Sequence, residues 1–454
     1  MLVNRVERGR YLDSVALMRV SRRVEALSGV DAAALMIGSP SNKDLLRAAG
    51  LLAAEGEQAT PNDLLIAVRG PRAAPAAESA LALLLEAREP MGADMPRARS
   101  LAGALEVLPQ ANLALISIPG EFAAFEARRA LERGLHVLLF SDNVPIEEER
   151  ALKRLAAARG LLLMGPDCGT AIIAGTPLAF ANALPRGDIG IVSASGTGLQ
   201  EVSCLIARMG GGISHGIGVG GRDLDARIGA LGTLAALDAL EQDPSTAKIV
   251  LISKPPAPGV AQQVLQKVRR SAKPCVVCFL GLDEPGIAPT LKDAAEQAMG
   301  AVIPNEAVPI EKKQGLVRGL YCGGTLCAEA EHIFRRKKLT GHQFIDLGAD
   351  EYTRGRPHPM IEPEIRNDHV RRALADPAVG VILVDIVLGY GAHENPAAIL
   401  LKEGTRGKTM IASVTGTEQD PQGWSRQAAL LRGGGVLVAP SNAHAAELAA
   451  SLVS

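Results

Sequence analysis

Aromatic side chains are scarce in this 454-residue chain, with seven Phe, four Tyr and one Trp making 3% of the total. That leaves little material for base-stacking platforms or sugar-binding faces. An excess of charge is missing too: 48 Lys and Arg face 49 Asp and Glu, for a net charge of −1. A nucleic-acid protein would carry a basic surplus. No apolar run approaches the ~20 residues of a membrane span, and the charged stretch Met1–Arg10 lacks the apolar core of a signal peptide. Six cysteines in a chain of this length do not make a disulfide framework. The pair Cys275 and Cys278 sits in the strand-like run KPCVVCFLG, where residues i and i+3 point to opposite faces and cannot grip one metal. The expectations are therefore a cytoplasmic protein with no nucleic acid, membrane or metal partner.

Ala, Gly, Val and Leu dominate instead, as in parallel α/β folds with Gly-lined strand ends. At ~150 residues per domain the length suggests about three domains, with two or four as alternatives. Residues 1–90 read as a small α/β domain, with strands at Ser14–Val20, Ala33–Ile37 and Leu64–Val68 and helices from Ser41 and over Pro75–Ala87. Arg88–Arg99, with two prolines and a glycine, reads as a linker. From residue 100 to 300, strands alternate with helical segments, which predicts right-handed crossovers and a mainly parallel sheet. Residues 316–454 repeat the scheme. Each block has a Gly-rich turn after its first strand, and the expectation is two related flavodoxin-like domains, 186–305 and 316–454.

The first turn, Ser193-Ala-Ser-Gly-Thr-Gly198, lies between a strand and a helix. Free N–H groups and the dipole at a helix N-terminus favour a phosphate or carboxylate, and Ser195, Gly196, Thr197 and Gly198 would hold it. A plain helix cap in a tight turn is the alternative. The second, Tyr321-Cys-Gly-Gly-Thr325, has the same form and offers Gly323, Gly324 and Thr325. Neither continues into a Walker A motif, and the lone G-x-G-x-x-G at Gly216, Gly218 and Gly221 lacks the acidic second strand of a dinucleotide fold. Lys254 ends a predicted strand ahead of Pro255-Pro256, where parallel sheets bind ligands. Asp167, in Gly165-Pro-Asp-Cys-Gly-Thr170, is either a substrate contact or a turn stabiliser. Arg222 and Asp223 are equally open. A last set joins Asp350, Glu351, Arg354, Arg356 and His358 with Asp385 and His393; its spacing fits no standard zinc motif, and arginines contacting an anion are the favoured reading.

The runs SIPGEF, GPDCGT, GIVSASGTGLQEVS and GIGVGGRDL resemble the α-subunit of the succinyl-CoA synthetase (NDP-forming acyl-CoA synthetase) superfamily. The later runs CGGTLCAEA, FIDLGADE and ILVDIVLGYG resemble the C-terminal domain of its β-subunit. With the extra N-terminal unit, the arrangement is most similar to the FdrA family. The resemblance covers roughly 340 residues. It implies a Rossmann-like, CoA-binding-like domain at 100–185 ahead of the two flavodoxin-like CoA-ligase domains. It also implies that the helices from Ser195–Thr197 and Gly323–Thr325 aim their N-termini at a transferred phosphate.

The departures narrow the function. The family's phosphate-relay histidine would fall in Gly281-Leu-Asp-Glu-Pro-Gly286, but no histidine occurs between His215 and His332. Lys254 stands where the resemblance places the glutamate that supports that histidine. MPRARSLAGALEVLPQ, at the place of the CoA loop, has no G-x-x-G, so no cofactor is assigned and CoA stays only an alternative. FdrA relatives are associated with oxamate carbamoyltransferase. The resemblance thus implies a subunit of a hetero-oligomeric carbamoyltransferase that handles carbamoyl phosphate and oxamate in allantoin nitrogen use. Lys254, Asp167 and Asp350 are its candidate catalytic residues; Arg222 and His393 are further anion contacts. The alternatives are an acyl-CoA synthetase subunit and a non-catalytic scaffold. Cys168 or Cys322 as nucleophile is a weaker idea, since neither has a histidine near it in sequence.

Overall fold

Strands whose residues are apolar on both faces form the centres of two parallel sheets, as in Lys248–Ser253 (KIVLIS) and Val379–Val387 (VGVILVDIV), each almost wholly buried. The structure is a computed structural model and describes residues 1–454 apart from 11, 13, 87–97, 305–311, 354–356 and 454. The chain divides into two units, Met1–Pro109 with Asp350–Pro357, and Gln110–Ala349 with His358–Ser454.

In the first unit, Leu2–Glu7, Leu64–Arg69 and Ala32–Ile37 form an antiparallel sheet in that order. Alternation splits its central strand: Leu64, Ile66 and Val68 pack beneath the helices Ser14–Glu25 and Ala73–Glu86, while Leu65 and Ala67 face Leu46, Leu51 and Ala59. The strand expected at Ser14–Val20 is part of the first of these helices. Its buried positions Leu17, Val20 and Val24 step by three and four, which is helical spacing. The strand Leu2–Glu7 had no counterpart in the sequence reading. Apart from Ala98 and Arg99, the expected linker lies outside the described residues. Where the family's CoA loop would fall, the chain forms the short helix Leu101–Val107, capped by Ser100.

The second unit holds three sheets. Leu113–Ile116, His136–Leu139 and Leu163–Met164 form a small parallel one. The six-stranded sheet runs Cys275–Phe279, Lys248–Ser253, Arg186–Ser193, Ile213–Gly218, then the hairpin Thr170–Ile173 and Thr176–Ala179. Its first four strands are parallel and the hairpin joins antiparallel. The five-stranded sheet is wholly parallel in the order Gln343–Asp346, Leu316–Tyr321, Val379–Val387, Thr409–Thr415, Leu437–Ala439. In chain order that is 2-1-3-4-5, the flavodoxin-like order, and the four parallel strands of the six-stranded sheet follow the same 2-1-3-4 scheme. The fold is thus multi-domain α/β with parallel sheets. Cys275 and Cys278 pack into different apolar clusters, as the opposite faces of a strand require. Among the described residues no helix is long and apolar enough to cross a membrane.

Candidate functional site

In a 2-1-3 sheet, the crevice for a ligand opens at the C-terminal ends of strands 1 and 3, where the chain leaves in opposite directions. Both Gly-rich turns leave strand 1 of their sheets. The first enters the helix Gly196–Arg208, and Ser195 caps it, its Oγ accepting the Gly198 N–H at 2.9 Å. Ser193 Oγ braces the turn by accepting the Ser195 N–H at 3.0 Å. The second turn enters the helix Gly324–Arg336 with Gly323 at the cap and no side-chain cap. The first-turn N–H groups of an α-helix have no intrahelical acceptor. Gly196 and Thr197 therefore offer donors at one helix, and Gly324, Thr325 and Leu326 at the other.

The two helix N-termini meet. Ser195 Oγ and Thr325 Oγ1 are 2.5 Å apart. The reverse pairing holds as well, each cap facing the second residue of the other helix, since a β-carbon on Gly323 would lie 3.0 Å from Thr197 Cγ2. Lys254, exposed beyond the end of strand 3 of the first sheet, reaches the start of the second helix. Its Nζ lies 3.2 Å from where a Gly324 β-carbon would be. That β-carbon would also collide with the Asp346 carboxylate at the end of Gln343–Asp346. Apart from long-range electrostatics, Lys254 forms no hydrogen bond or ion pair among the described residues.

Asp385 closes the second turn from below. Fully buried in Val379–Val387, it accepts the Cys322 N–H at 2.7 Å on Oδ1 and the Gly323 N–H at 2.7 Å on Oδ2. Burial pushes its carboxyl up, against the opposing pull of the Arg366 guanidinium and these N–H groups. Arg366, 1% exposed, donates from Nη1 to the Asp385 carbonyl and lies 3.3 Å from Cys322 Sγ. Two backbone donors of this turn are thus held by an internal carboxylate, and the open ones begin at Gly324.

Asp167 has a left-handed backbone (φ 56°) and an exposed side chain. Its Oδ2 lies 3.7 Å from a Gly221 β-carbon, itself 4.0 Å from the Ala194 carbonyl of the first turn. Gly218 and Gly220 are explained by close approach of backbone: β-carbons there would meet the carbonyls of Thr170 and Pro166. Arg222 commits its guanidinium to Glu149 at 2.8 Å and to the Val144 carbonyl at 2.7 Å. Asp223 is fully buried and accepts Lys153 Nζ at 2.5 Å and the Gly232 and Thr233 N–H groups, a structural role. His393 uses Nδ1 to accept the Asn395 N–H at 2.9 Å in the turn after strand 3, and no described hydrogen bond joins it to either Gly-rich turn. Asp350 groups with the first unit, where it opens the short helix Asp350–Thr353 with Glu351 beside it. The carboxylate beside the second turn is Asp346 instead, four residues earlier. Arg354 and Arg356 lie outside the described residues. His358 is half-buried, and the desolvation of its ring pushes its imidazole down to about 4.

The thiols are poor nucleophiles. Cys168 is buried with its Sγ 3.4 Å from the Thr170 and Gly218 carbonyls, and burial pushes it up to about 12. Burial pushes the Cys322 thiol up as well, and no described histidine hydrogen-bonds to either.

Residues 320–452 match a family described as CoA-ligase, and residues 1–98 match one described as AllF, heavy metal-associated domain. Over 98% of its length the chain is 41% identical to the YahF protein of Escherichia coli K12, covering 97% of that protein. It is 29% identical to subunit alpha 2 of an ADP-forming succinate–CoA ligase of Archaeoglobus fulgidus, over 38% of this chain and 61% of that subunit. It is also 26% identical to the malate–CoA ligase subunit alpha of Methylorubrum extorquens, over 38% of this chain and 60% of that subunit. The heavy-metal description does not fit the residues present. Segment 1–98 contains no Cys and no His, the first of each being Cys168 and His136, so thiolate and imidazole donors are lacking.

Proposed function

Because this chain belongs to the FdrA family of the succinyl-CoA synthetase superfamily, we propose that it is a carbamoyltransferase subunit that transfers the carbamoyl group of carbamoyl phosphate directly to an amide acceptor such as oxamate. The observation that carries this reading is the meeting of Ser195 and Thr325, which brings two helix N-termini together beside Lys254 and so suits a small anion. A phosphate there is met by N–H donors from two sides and by an ammonium group, and the same donors stabilise the charge it gains as it leaves. In the transfer, the acceptor nitrogen forms a bond to the carbamoyl carbon. The bond from that carbon to the phosphate oxygen breaks, phosphate leaves with the electron pair, and the nitrogen gives up a proton. Asp346, against the first residue of the second helix, and Asp167, beside Gly221 near the first turn, are the proposed acceptors of that proton.

No covalent intermediate is required. The stretch 281–286 holds no histidine and the thiols nearest the turns are buried and protonated. The resemblance to ligases built from α and β subunits supports further subunits as partners. The test is incubation of the protein with carbamoyl phosphate carrying labelled phosphorus, with and without oxamate. Label released as phosphate in step with oxalurate, and none on protein, supports direct transfer. Acid-labile protein-bound label would refute it.

The matched ligase subunits favour one second reading, an acyl-CoA synthetase subunit. It requires CoA to bind and an ATP-dependent partner to supply phosphate. CoA-dependent thioester formation from an acyl phosphate would establish it and displace the transferase reading.

A further inference from the structure

The helices that open at the two turns correspond position by position. Each is 13 residues long, Gly196–Arg208 and Gly324–Arg336, and each carries a buried glutamate as its sixth residue, Glu201 and Glu329. Neither glutamate serves its own domain alone. Glu329, in the second domain, accepts on Oε1 the N–H of Leu291 at 2.6 Å, the first residue of helix Leu291–Met299 in the first domain. Glu201, in the first domain, accepts on Oε1 the N–H of Asn442 at 3.0 Å, the first residue of helix Asn442–Val453 in the second. Both recipient helices are capped by a hydroxyl, Thr290 and Ser441, three residues before the N–H it takes. Asn442 ties the pair together, its Nδ2 donating to Glu329 Oε2 at 2.7 Å, and Thr415 Oγ1 donates to Glu201.

We infer that Glu201 and Glu329 are positioning residues that clasp the two domains reciprocally, and so hold the Ser195 and Thr325 ends of their helices together as one anion site. The inference rests on the anion-site reading proposed above. Each helix carries its glutamate about one and a half turns from its N-terminus. A shift of either domain that breaks a glutamate bond therefore also draws the two N-termini apart. The glutamate bonds are unlike ordinary interface contacts because each fills an N–H that the cap leaves open at a helix start, where a buried donor without an acceptor is costly.

The clasp has a charge state. Burial first, and the nearby Glu201 and Asp293 carboxylates with it, raise the Glu329 carboxyl to about 8 against the opposing Asn442 and Leu291 bonds. Other groups on the packed elements include the thiol of Cys278, the hydroxyl of Tyr321, and His444 beside the Lys292–Glu296 pair, with Cys204 and Arg208 on the Glu201 helix and Cys327 on the Glu329 helix. Burial keeps the first two protonated and pushes the imidazole of His444 down. At neutral pH the clasp holds a protonated Glu329. Above pH 8 it holds a carboxylate facing Glu201 and Asp293, and it loosens.

The test measures inorganic phosphate affinity from pH 6 to 9.5 for the full chain and for Glu329→Gln, whose one carbonyl oxygen is a neutral acceptor for Leu291 at all pH values and which gives up the second bond, from Asn442, equally at every pH. The ratio of the two dissociation constants cancels the ionisation of phosphate itself. The expected result is a flat ratio up to pH 7 and a relative weakening of the unsubstituted chain by about tenfold by pH 9, as one proton is lost. Parallel profiles would overturn the clasp while leaving the anion site standing. Amide exchange of Leu291 and Asn442 in the unsubstituted chain is the second measurement and needs no variant. Their protection should fall together above pH 8, and constant protection would again overturn the clasp. If phosphate binds at no pH yet both amides lose protection together, the clasp stands and the anion-site reading fails.

Discussion

Ser195 Oγ and Thr325 Oγ1, from two domains and 130 positions apart in sequence, lie 2.5 Å from each other. Ser195 also caps its own helix, so its hydroxyl has two tasks. Replacing it with Ala removes the cap, which should cost about 1 kcal/mol of stability in a denaturant titration. It should also weaken phosphate binding, because the two turns lose their direct link. Thr325→Val keeps the shape and removes only the second task, so it should weaken phosphate with a smaller loss of stability.

Gly324→Ala places a methyl group against the Asp346 carboxylate and 3.2 Å from Lys254 Nζ. Phosphate binding by calorimetry should be lost, with circular dichroism unchanged. Gly433→Ala is the matched control, a glycine at a helix end with nothing within 4 Å of the added carbon, and it should bind as the unsubstituted chain does.

Lys254→Met removes a cation that has no structural partner to lose among the described residues. Thermal stability should stay within about 0.5 kcal/mol, as for an ordinary surface substitution. Phosphate affinity should fall by about 10- to 100-fold, the worth of one charge-assisted contact. Equal affinity would show that Lys254 points past the ligand.

Asp385→Ala leaves the Cys322 and Gly323 N–H groups and the Arg366 guanidinium buried without their acceptor. A loss of about 3–5 kcal/mol is expected, as for a broken buried pair. Arg366→Met should cost a similar amount, and the double variant less than the sum of both.

Glu329 also sets the sign of a pH dependence. Its carboxyl is raised from 4.5 in the unfolded chain to about 8 in the folded one. Between these values the folded state holds a proton that the unfolded state has lost, so stability falls as pH rises through this window. In urea titrations at pH 5 and pH 8, Glu329→Gln should lose less stability across the interval than the unsubstituted chain does.

The two strand–turn–helix units and their parallel setting were readable from sequence, because a Gly-rich turn between an apolar strand and a helix is a local pattern. What lay beyond reach was tertiary. No local feature tells that the two turns touch, or that Asp346 rather than Asp350 stands at the second turn. Both aspartates sit in one short run, FIDLGADE, and only the strand end at Asp346 separates them. The helix at Ser14–Glu25 was misread because VALM is a short continuous apolar run that fits a buried strand as well as a helix, whereas its buried positions follow helical spacing over a longer span. The hairpin Thr170–Ala179 follows the Gly165–Thr170 turn in a stretch where no strand was expected, because its strands are only four residues long. Asp385 was grouped with exposed ligands because its burial and its pairing with Arg366 depend on the packed sheet.

Thermal unfolding of the purified chain with phosphate, carbamoyl phosphate or CoA tests the central claim most directly, that the two turns build one site for a small anion. At about 100 times its dissociation constant a ligand adds about 2.7 kcal/mol. The account predicts a rise in midpoint with phosphate and carbamoyl phosphate that Gly324→Ala abolishes, and none with CoA. A rise with CoA alone, or a phosphate effect that survives Gly324→Ala, would contradict it.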